Sequence, residues 1–231
     1  GRIMKDKGDL DGAMENYQRA LEIRKKTLGL NHPLTATSYN NIGDVMTAKR
    51  NFDGALKMHH RALEIRKKTF GINHSETAES YNNIGVLLQS KGDFDGDLEM
   101  LETALKIRTE TIGMSHPDTA VCYSNLGALM QSKGDLDGAL NVHQRALEIK
   151  KKMLGINHPE TAISYNNIGI VMYAKGDLDG ALKMLGLCLD IFKSTLGRNH
   201  PRTVECQKSI SLVEEKMKGQ RKKPFHLLKR K

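Results

Sequence analysis

Histidine is the side chain whose spacing in this sequence could indicate chemistry, because an imidazole can bind a metal ion or transfer a proton. The sequence contains nine histidines, and five of them recur at intervals of 42 residues: His32, His74, His116, His158 and His200. A metal ion needs three or four ligands at one point. Because each of the five belongs to a separate copy of a repeated segment, we expect them in five separate loops with a structural role. We predict no metal site.

The other candidates for catalysis also have structural explanations. His59 and His143 occupy a helical position where other copies of the repeat carry Tyr or Leu, which predicts histidines packed in the core. The neighbouring His59 and His60 cannot face one ion from the same helix. The Asp-x-Asp-Gly strings lack the further oxygen ligands and the closing Glu of a calcium loop. No catalytic triad, Cys–His pair or glycine-rich phosphate loop is recognisable, so we predict a protein that is not an enzyme and has no cofactor or small-molecule substrate.

A segment of 42 residues recurs along the chain and indicates the architecture. Its copies are marked by five threonines: Thr35, Thr77, Thr119, Thr161 and Thr203. After Thr35, the residues Tyr39, Ile42, Gly43 and Met46 have the i, i+3, i+4, i+7 spacing of one helix face. A second amphipathic segment ending in ALEIRKK or a similar string follows in each copy. We therefore expect two helices per repeat, each with one buried face.

Turn residues separate these two helices. Most copies contain Lys-Gly-Asp, which places Gly where the first helix must end and Asp where the second needs an N-cap; Asn51 takes the place of Asp in one copy. A proline opens the next first helix in four copies, at Pro33, Pro117, Pro159 and Pro201. A further glycine stands in the first turn of each second helix, where it costs about 1 kcal/mol relative to Ala. The sequence offers no reason for these glycines: Gly12, Gly54, Gly96, Gly138 and Gly180.

The formal net charge of +9 suggests an acidic partner or nucleic acid, but the charge is unevenly distributed. Eight of the 36 Lys and Arg residues lie at positions 216–231, a stretch without Asp or Glu, so the preceding residues are nearly neutral. Residues 219–231, GQRKKPFHLLKRK, form a basic tail. It could be a solvated end, a nuclear import signal, or a contact with nucleic acid or an acidic membrane surface. We expect nucleic acid as a partner only through this tail.

Three cysteines bear on the cellular compartment. Cys122, Cys188 and Cys206 are too few and too irregular for a disulfide framework or a zinc cluster, which favours a reducing compartment and a cytoplasmic location. The longest uncharged apolar run covers residues 168–174, far short of the roughly 20 residues that a membrane span needs. Because the chain begins with Gly1 rather than Met, we expect it to belong to a longer parent protein with other domains.

The repeated pattern resembles a known family. Tyr-x2-Ile-Gly-x2-Met followed by Ala-x3-His, as at Tyr39–Met46 and Ala55–His59, resembles the tetratricopeptide repeat. The period of 42, with Asn-Asn-Ile-Gly, RALEIRKK and Leu-Gly-x-Asn-His-Pro, is similar to the repeat of kinesin light chains and nephrocystin-3-like proteins. The resemblance implies an all-α fold, a right-handed superhelix of the α-α solenoid type. It also implies a non-catalytic scaffold or adaptor that binds an extended peptide in a concave groove lined by the first helices.

This resemblance also divides the chain. A superhelix is expected over residues 1–218, with a partial repeat at 1–34 and a capping helix at 203–218. Four full repeats lie between them, at 35–76, 77–118, 119–160 and 161–202. The basic tail at 219–231 follows. Self-association, or packing on another domain of the parent chain, is a further possible role for the repeats.

A column of asparagines on the first helices is the leading candidate for a binding surface. Its members are Asn40, Asn41, Asn82, Asn83, Asn125, Asn166 and Asn167. From the residues alone, an amide at these positions could bond the backbone of a bound peptide or link adjacent helices within the solenoid. The resemblance favours peptide contact, because the corresponding Asn of kinesin light chains touches cargo peptide.

Apolar and basic residues complete the predicted peptide site. Val86, Ala128 and Ile170 lie one turn beyond the asparagines and are expected to shape apolar pockets. Arg66 and Arg108 lie near the ends of second helices, where cations are favoured by the helix dipole and usually face solvent. The resemblance makes these two arginines candidate peptide contacts, because the groove of the family uses a basic residue there.

Overall fold

The computed structural model describes residues 9–221, which consist of ten α-helices and their connecting loops, without a β-strand. Residues 222–231 of the predicted tail and residues 1–8 of the partial repeat lie outside this range. The helices are α1 (Leu10–Leu28), α2 (Pro33–Ala48), α3 (Phe52–Phe70), α4 (Ser75–Lys91), α5 (Phe94–Ile112), α6 (Pro117–Ser132), α7 (Leu136–Leu154), α8 (Pro159–Lys175), α9 (Leu178–Thr195) and α10 (Pro201–Arg221).

The helices form two compact units, residues 9–114 and 115–221 of the described chain. In the first unit, α2 packs on α3 and α4 packs on α5 as the two helices of a repeat, while α1 packs on α2 and α3 on α4 across repeat boundaries. In the second unit, α6 pairs with α7 and α8 with α9, and α7–α8 and α9–α10 are the contacts between repeats. The first helix α8 also touches the first helices α6 and α10.

Each second helix begins at the predicted side-chain cap. The capping residues are Asp9, Asn51, Asp93, Asp135 and Asp177. Each accepts a hydrogen bond of 2.9 or 3.0 Å from the backbone N–H of the glycine three residues later. A Cβ atom at Gly54 would lie 2.7 Å from Asn51 Nδ2, and one at Gly96 would lie 2.6 Å from Asp93 Oδ2. The glycines unexplained by sequence are therefore required by close approach of the cap.

The five histidines spaced by 42 residues have the structural role that their spacing predicts. Each Nδ1 accepts a hydrogen bond of 3.1 or 3.2 Å from the backbone N–H two residues later, at the start of a first helix. The recurring threonines tie the same loop: Thr77 Oγ1 donates to the carbonyl of Gly71 at 2.8 Å. Gly71 has φ +91°, which favours glycine. The loop between repeats is thus held by His, Thr and Gly together.

Small residues let the two helices of a repeat approach closely. Ala36 on α2 is buried with Ala62 and Ile65 on α3. A Cβ atom at Gly43 would lie 2.8 Å from the ring of His59, which is buried as predicted. His143 is buried beneath Gly127 in the same way. Burial and the charge of Lys150 lower the pKa of His143 to about 4, so it is neutral near pH 7.

One carboxyl group is buried where the other repeats carry alanine. Asp97 on α5 is 1% exposed, and its counterparts in the other second helices are alanines at positions 13, 55, 139 and 181. Its Oδ1 atom has no hydrogen-bond partner among the described residues. Burial, with the nearby charge of Asp93, raises the pKa of Asp97 to about 6. The folded state therefore holds this proton more tightly than the unfolded chain does.

Replacing Asp97 with Ala should stabilise the protein near pH 7, because a buried carboxylate without full hydrogen bonding is costly. The pKa of about 6 predicts that the wild-type free energy of unfolding falls as pH rises from about 4 to about 6. The difference between D97A and wild type should reach on the order of 2–3 kcal/mol at pH 7 and shrink below pH 4. Urea unfolding at pH 4, 5, 6 and 7 measures it. The exposed Asp179→Ala is the control, and a pH-independent effect of D97A would contradict the prediction.

Candidate functional site

Arg66 lies inside the packing between two repeats. It stands near the end of α3 with a buried side chain, and its Nη1 donates to the Glu76 carbonyl at 2.9 Å and to Ser80 Oγ at 3.0 Å, both on α4. Its Nη2 forms ion pairs with Glu76 Oε2 at 2.8 Å and Glu79 Oε2 at 3.1 Å. These contacts use the two nitrogens of the guanidinium fork within the first unit. Arg66 thus joins α3 to the next repeat.

Other repeats place a buried or partly buried cation at the same position. Arg24 donates to the Leu34 carbonyl at 2.9 Å and to Ser38 Oγ at 2.8 Å. Lys150 in the second unit is buried and lies 3.5 Å from Glu160 Oε2. Arg108, the other arginine predicted to contact peptide, is also buried. The position predicted to serve a groove is therefore occupied by contacts between helices wherever those contacts are resolved.

The paired asparagines of each first helix differ in exposure. Asn40 is buried, and its Oδ1 lies 3.1 Å from Nδ1 of the buried His59 on α3. Asn82 is buried at the same position of α4. Asn41 and Asn83, one residue further along, are partly exposed. Because successive helix residues point about 100° apart, one member of each pair faces the repeat interior and the other faces its surface.

The remaining predicted residues keep accessible surface. Asn125, Asn166, Asn167 and Ala128 are partly exposed, and they lie on α6 and α8 of the second unit. Val86 on α4 and Ile170 on α8 are 39% and 37% exposed. A large apolar side chain with that exposure on a well-packed helix offers area to a ligand. The structure thus leaves Asn41, Asn83, Val86, Asn125, Ala128, Asn166, Asn167 and Ile170 available.

Two adjacent pockets lie between the first helices α8 and α10 of the second unit. The first, of about 250 Å³, is lined by Ile163, Asn166, Ile170, Phe192, Arg202, Glu205, Cys206 and Ser209. The second, of about 270 Å³, is lined by Ile170, Tyr173, Leu185, Ser209, Leu212 and Val213. They share Ile170 and Ser209, so a polar pocket and an apolar pocket adjoin. Two residues that sequence reasoning selected, Asn166 and Ile170, are brought together here.

Sequence reasoning missed the contribution of α10 to these pockets. Arg202, Glu205 and Ser209 face the polar pocket, and Leu212 faces the apolar one. The repeat comparison treated α10 as a cap because its residues depart from the pattern. The departure itself was the available signal: Leu212 stands where α2 carries Asp44, a change toward apolar character on an accessible face.

Comparison with known families identifies the architecture. One family model described as "Tetratricopeptide repeat" matches residues 1–59, 40–96, 98–152, 134–194 and 160–223, and a second with the same description matches residues 77–118. The chain is a tetratricopeptide repeat protein. The predicted all-α solenoid of tetratricopeptide repeats is confirmed, and such an array is a protein-interaction scaffold. No curated protein matches the chain significantly.

Solved structures show the same fold in proteins of low sequence identity. BtubC (BKLC) from P. vanneervenii has a TM-score of 0.67 and 18% identity, over 96% of this chain and 95% of that chain. TPR-like repeats of a Podosopora anserina protein assigned to the kinesin light chains have a TM-score of 0.62 and 22% identity, over 84% and 92% of the two chains. RapI in its apo form has a TM-score of 0.62 and 20% identity, over 88% and 54%.

The described part of this tetratricopeptide repeat protein was also examined for metal-binding clusters and membrane helices. Between residues 9 and 221, no three His, Cys, Asp or Glu side chains converge on a point that could hold a metal ion. No helix in that range combines the length and apolarity that a membrane crossing needs. The surfaces available for function in the described residues are therefore faces of the helices and loops.

Replacing Arg66 with Met should lower the free energy of unfolding by about 2–4 kcal/mol, because it removes a buried cation that joins two helices. The neighbouring Lys67 is exposed, so Lys67→Met is the matched control and should change stability by less than about 0.5 kcal/mol. Urea unfolding measures both. A stable R66M variant with reduced peptide affinity would show instead that Arg66 acts mainly on a ligand.

Proposed function

We propose that this tetratricopeptide repeat protein is a non-catalytic adaptor that binds an extended peptide segment along its first helices. The observation that carries the proposal is the pair of adjoining pockets between α8 and α10, one polar and one apolar. Their volumes, about 250 and 270 Å³, lie below the range of roughly 300–1,000 Å³ typical of small-molecule sites. Pockets of this size suit individual side chains of a peptide.

The arrangement of the pockets favours an extended backbone. In an extended chain, alternate side chains point to the same face and lie roughly 6.5–7 Å apart. Adjoining pockets that share Ile170 and Ser209 can accept two such alternate side chains. The apolar pocket suits an aliphatic or aromatic residue. The polar pocket, with Arg202, Glu205 and Asn166, suits a residue that both donates and accepts hydrogen bonds.

The accessible asparagines would then hold the peptide backbone. An amide side chain can donate to a carbonyl and accept from an N–H, so it can bind a backbone regardless of the peptide side chains. Asn166 and Asn167 on α8 are partly exposed beside the pockets, and Asn125 is partly exposed on α6. Asn41, Asn83 and Val86 present the same chemistry in the first unit. A cytoplasmic location and a role for the basic tail stay predictions.

Replacing Ile170 with Glu should weaken peptide binding at least tenfold, because the substitution places a charge in the residue shared by both pockets. The probe is a peptide selected from an array of extended sequences against the full chain, and fluorescence anisotropy measures its affinity. Ile156→Glu is the matched control, because Ile156 is 53% exposed on a loop away from the pockets. Asn167→Ala should cost about 0.5–1.5 kcal/mol of binding.

The same variants separate a ligand contact from a structural role. If Ile170→Glu binds the selected peptide as tightly as wild type does, the pockets between α8 and α10 are not the binding site. If Asn167→Ala lowers the melting temperature and leaves affinity unchanged, the asparagine is structural. Asn83→Ala applies the second comparison to the first unit.

A further inference from the structure

The outer face of α10 is uncovered where the preceding first helices are covered. In the full repeats, the alanine three residues after the start of the first helix is completely buried, at Ala36, Ala78, Ala120 and Ala162. On α2 this alanine packs against the second helix α3 through Ala62 and Ile65. The counterpart on α10 is Val204, which is 42% exposed. Among residues 9–221, no second helix packs on this face of α10.

The uncovered face forms one side of a groove of about 780 Å³ between α10 and the end of α9. Val204 and Leu212 supply its apolar surface, and Leu212 is 58% exposed. Lys193, Arg198 and Lys208 line it with positive charge, and Glu215 is the acidic residue in the lining. The three cations form no ion pair with another residue of the described chain. An apolar strip bordered by unpaired cations is therefore open to a ligand of opposite charge.

We propose that this groove binds an acidic amphipathic helix of a partner protein. A helix is the element that covers the corresponding face in the full repeats, so the shape of the face suits one. The spacing of Val204, Lys208 and Leu212 at i, i+4 and i+8 presents one continuous strip along α10. Acidic side chains beside the apolar residues of the partner helix would pair with Lys193, Arg198 and Lys208.

The residue at the crossing point restricts the partner further. In the full repeats, the first helix carries Gly where the second helix approaches most closely, and a Cβ atom at Gly43 would lie 2.8 Å from the His59 ring. The counterpart on α10 is Ser211, which lines the groove. Its side chain occupies space that the large residue of a second helix fills elsewhere. The partner helix therefore needs a small residue, Ala or Gly, opposite Ser211.

Charge separates this partner from two others. A second copy of the same face would bring Lys193, Arg198 and Lys208 against their own counterparts, which is unfavourable. Residues 222–231 of this chain, KKPFHLLKRK, contain apolar residues but five Lys and Arg and no acid, so they carry the same charge as the groove. An acidic helix from another protein is the occupant that the electrostatics favour. This inference does not depend on peptide binding along the first helices.

Two designed peptides test the proposal on the full chain. The first is an 18-residue helix with Leu at i, i+3, i+4 and i+7 spacing, a central Ala, and Glu at the flanking positions; the second has Lys in place of each Glu. Fluorescence anisotropy at low ionic strength should show at least tenfold tighter binding of the acidic peptide. Added salt should weaken that binding, because the interaction of exposed charges is screened.

Variants locate the site. Lys208→Glu and Val204→Glu should each weaken binding of the acidic peptide at least tenfold, and both positions are exposed, so the fold should tolerate them. The matched controls are Lys183→Glu, an exposed lysine of α9 outside the groove lining, and Val86→Glu, a valine of similar exposure on α4. Both controls should leave binding unchanged. Leu212 is unsuitable, because it also lines the apolar pocket beside Ile170.

Four results would overturn the proposal. Equal binding of the two peptides, or binding of neither, would exclude a site selective for acidic helices. Unchanged binding in Lys208→Glu and Val204→Glu would place any binding elsewhere. A tenfold gain in affinity on deletion of residues 222–231 would identify the tail as the occupant. Sedimentation showing a dimer that Val204→Glu dissociates would identify a second copy.

Discussion

The buried cation near the end of each second helix is the interaction on which the arrangement of the repeats depends. In a repeat protein each unit contacts mainly its neighbours, so stability comes from the repeats and from the interfaces between consecutive repeats. Arg66 donates to a backbone carbonyl and to Ser80 Oγ on the next first helix, and it pairs with two carboxylates there. Arg24 makes the corresponding bonds to the Leu34 carbonyl and Ser38. This cation sets where the next first helix lies.

The nature of the residue at this position changes along the chain, and its contacts change with it. Lys150 is a point charge without the planar fork of Arg, and it reaches Glu160. Ser164, the counterpart of Ser80, has a buried hydroxyl without a hydrogen-bond partner among the described residues. At the last repeat the cation is replaced by Phe192, which is buried in one apolar cluster with Cys206. The interface before α10 is therefore apolar where the earlier ones are ionic.

This arrangement of the interfaces determines which polar residues face outward. The cation packs against the early turns of the next first helix, and the second helix of the same repeat covers its alanine and glycine positions. Asn40 falls on the covered side and pairs with His59, while Asn41 remains partly exposed. On α10, which has no covering helix among the described residues, the apolar positions Val204 and Leu212 remain exposed. Both proposed binding surfaces follow from one pattern of coverage.

The sequence by itself determined the helices, their ends and the fold class, because these depend on local chemistry. Period, apolar spacing and capping residues act within a few positions of the chain, so Asn51 could be recognised as a cap without knowledge of its neighbours in space. Tertiary structure alone decided that Arg66 and Asn40 are interior, that Asp97 is buried without full hydrogen bonding, and that α10 shares pockets with α8. The physical reason is that exposure depends on which element packs against a residue, and that element is distant in the sequence.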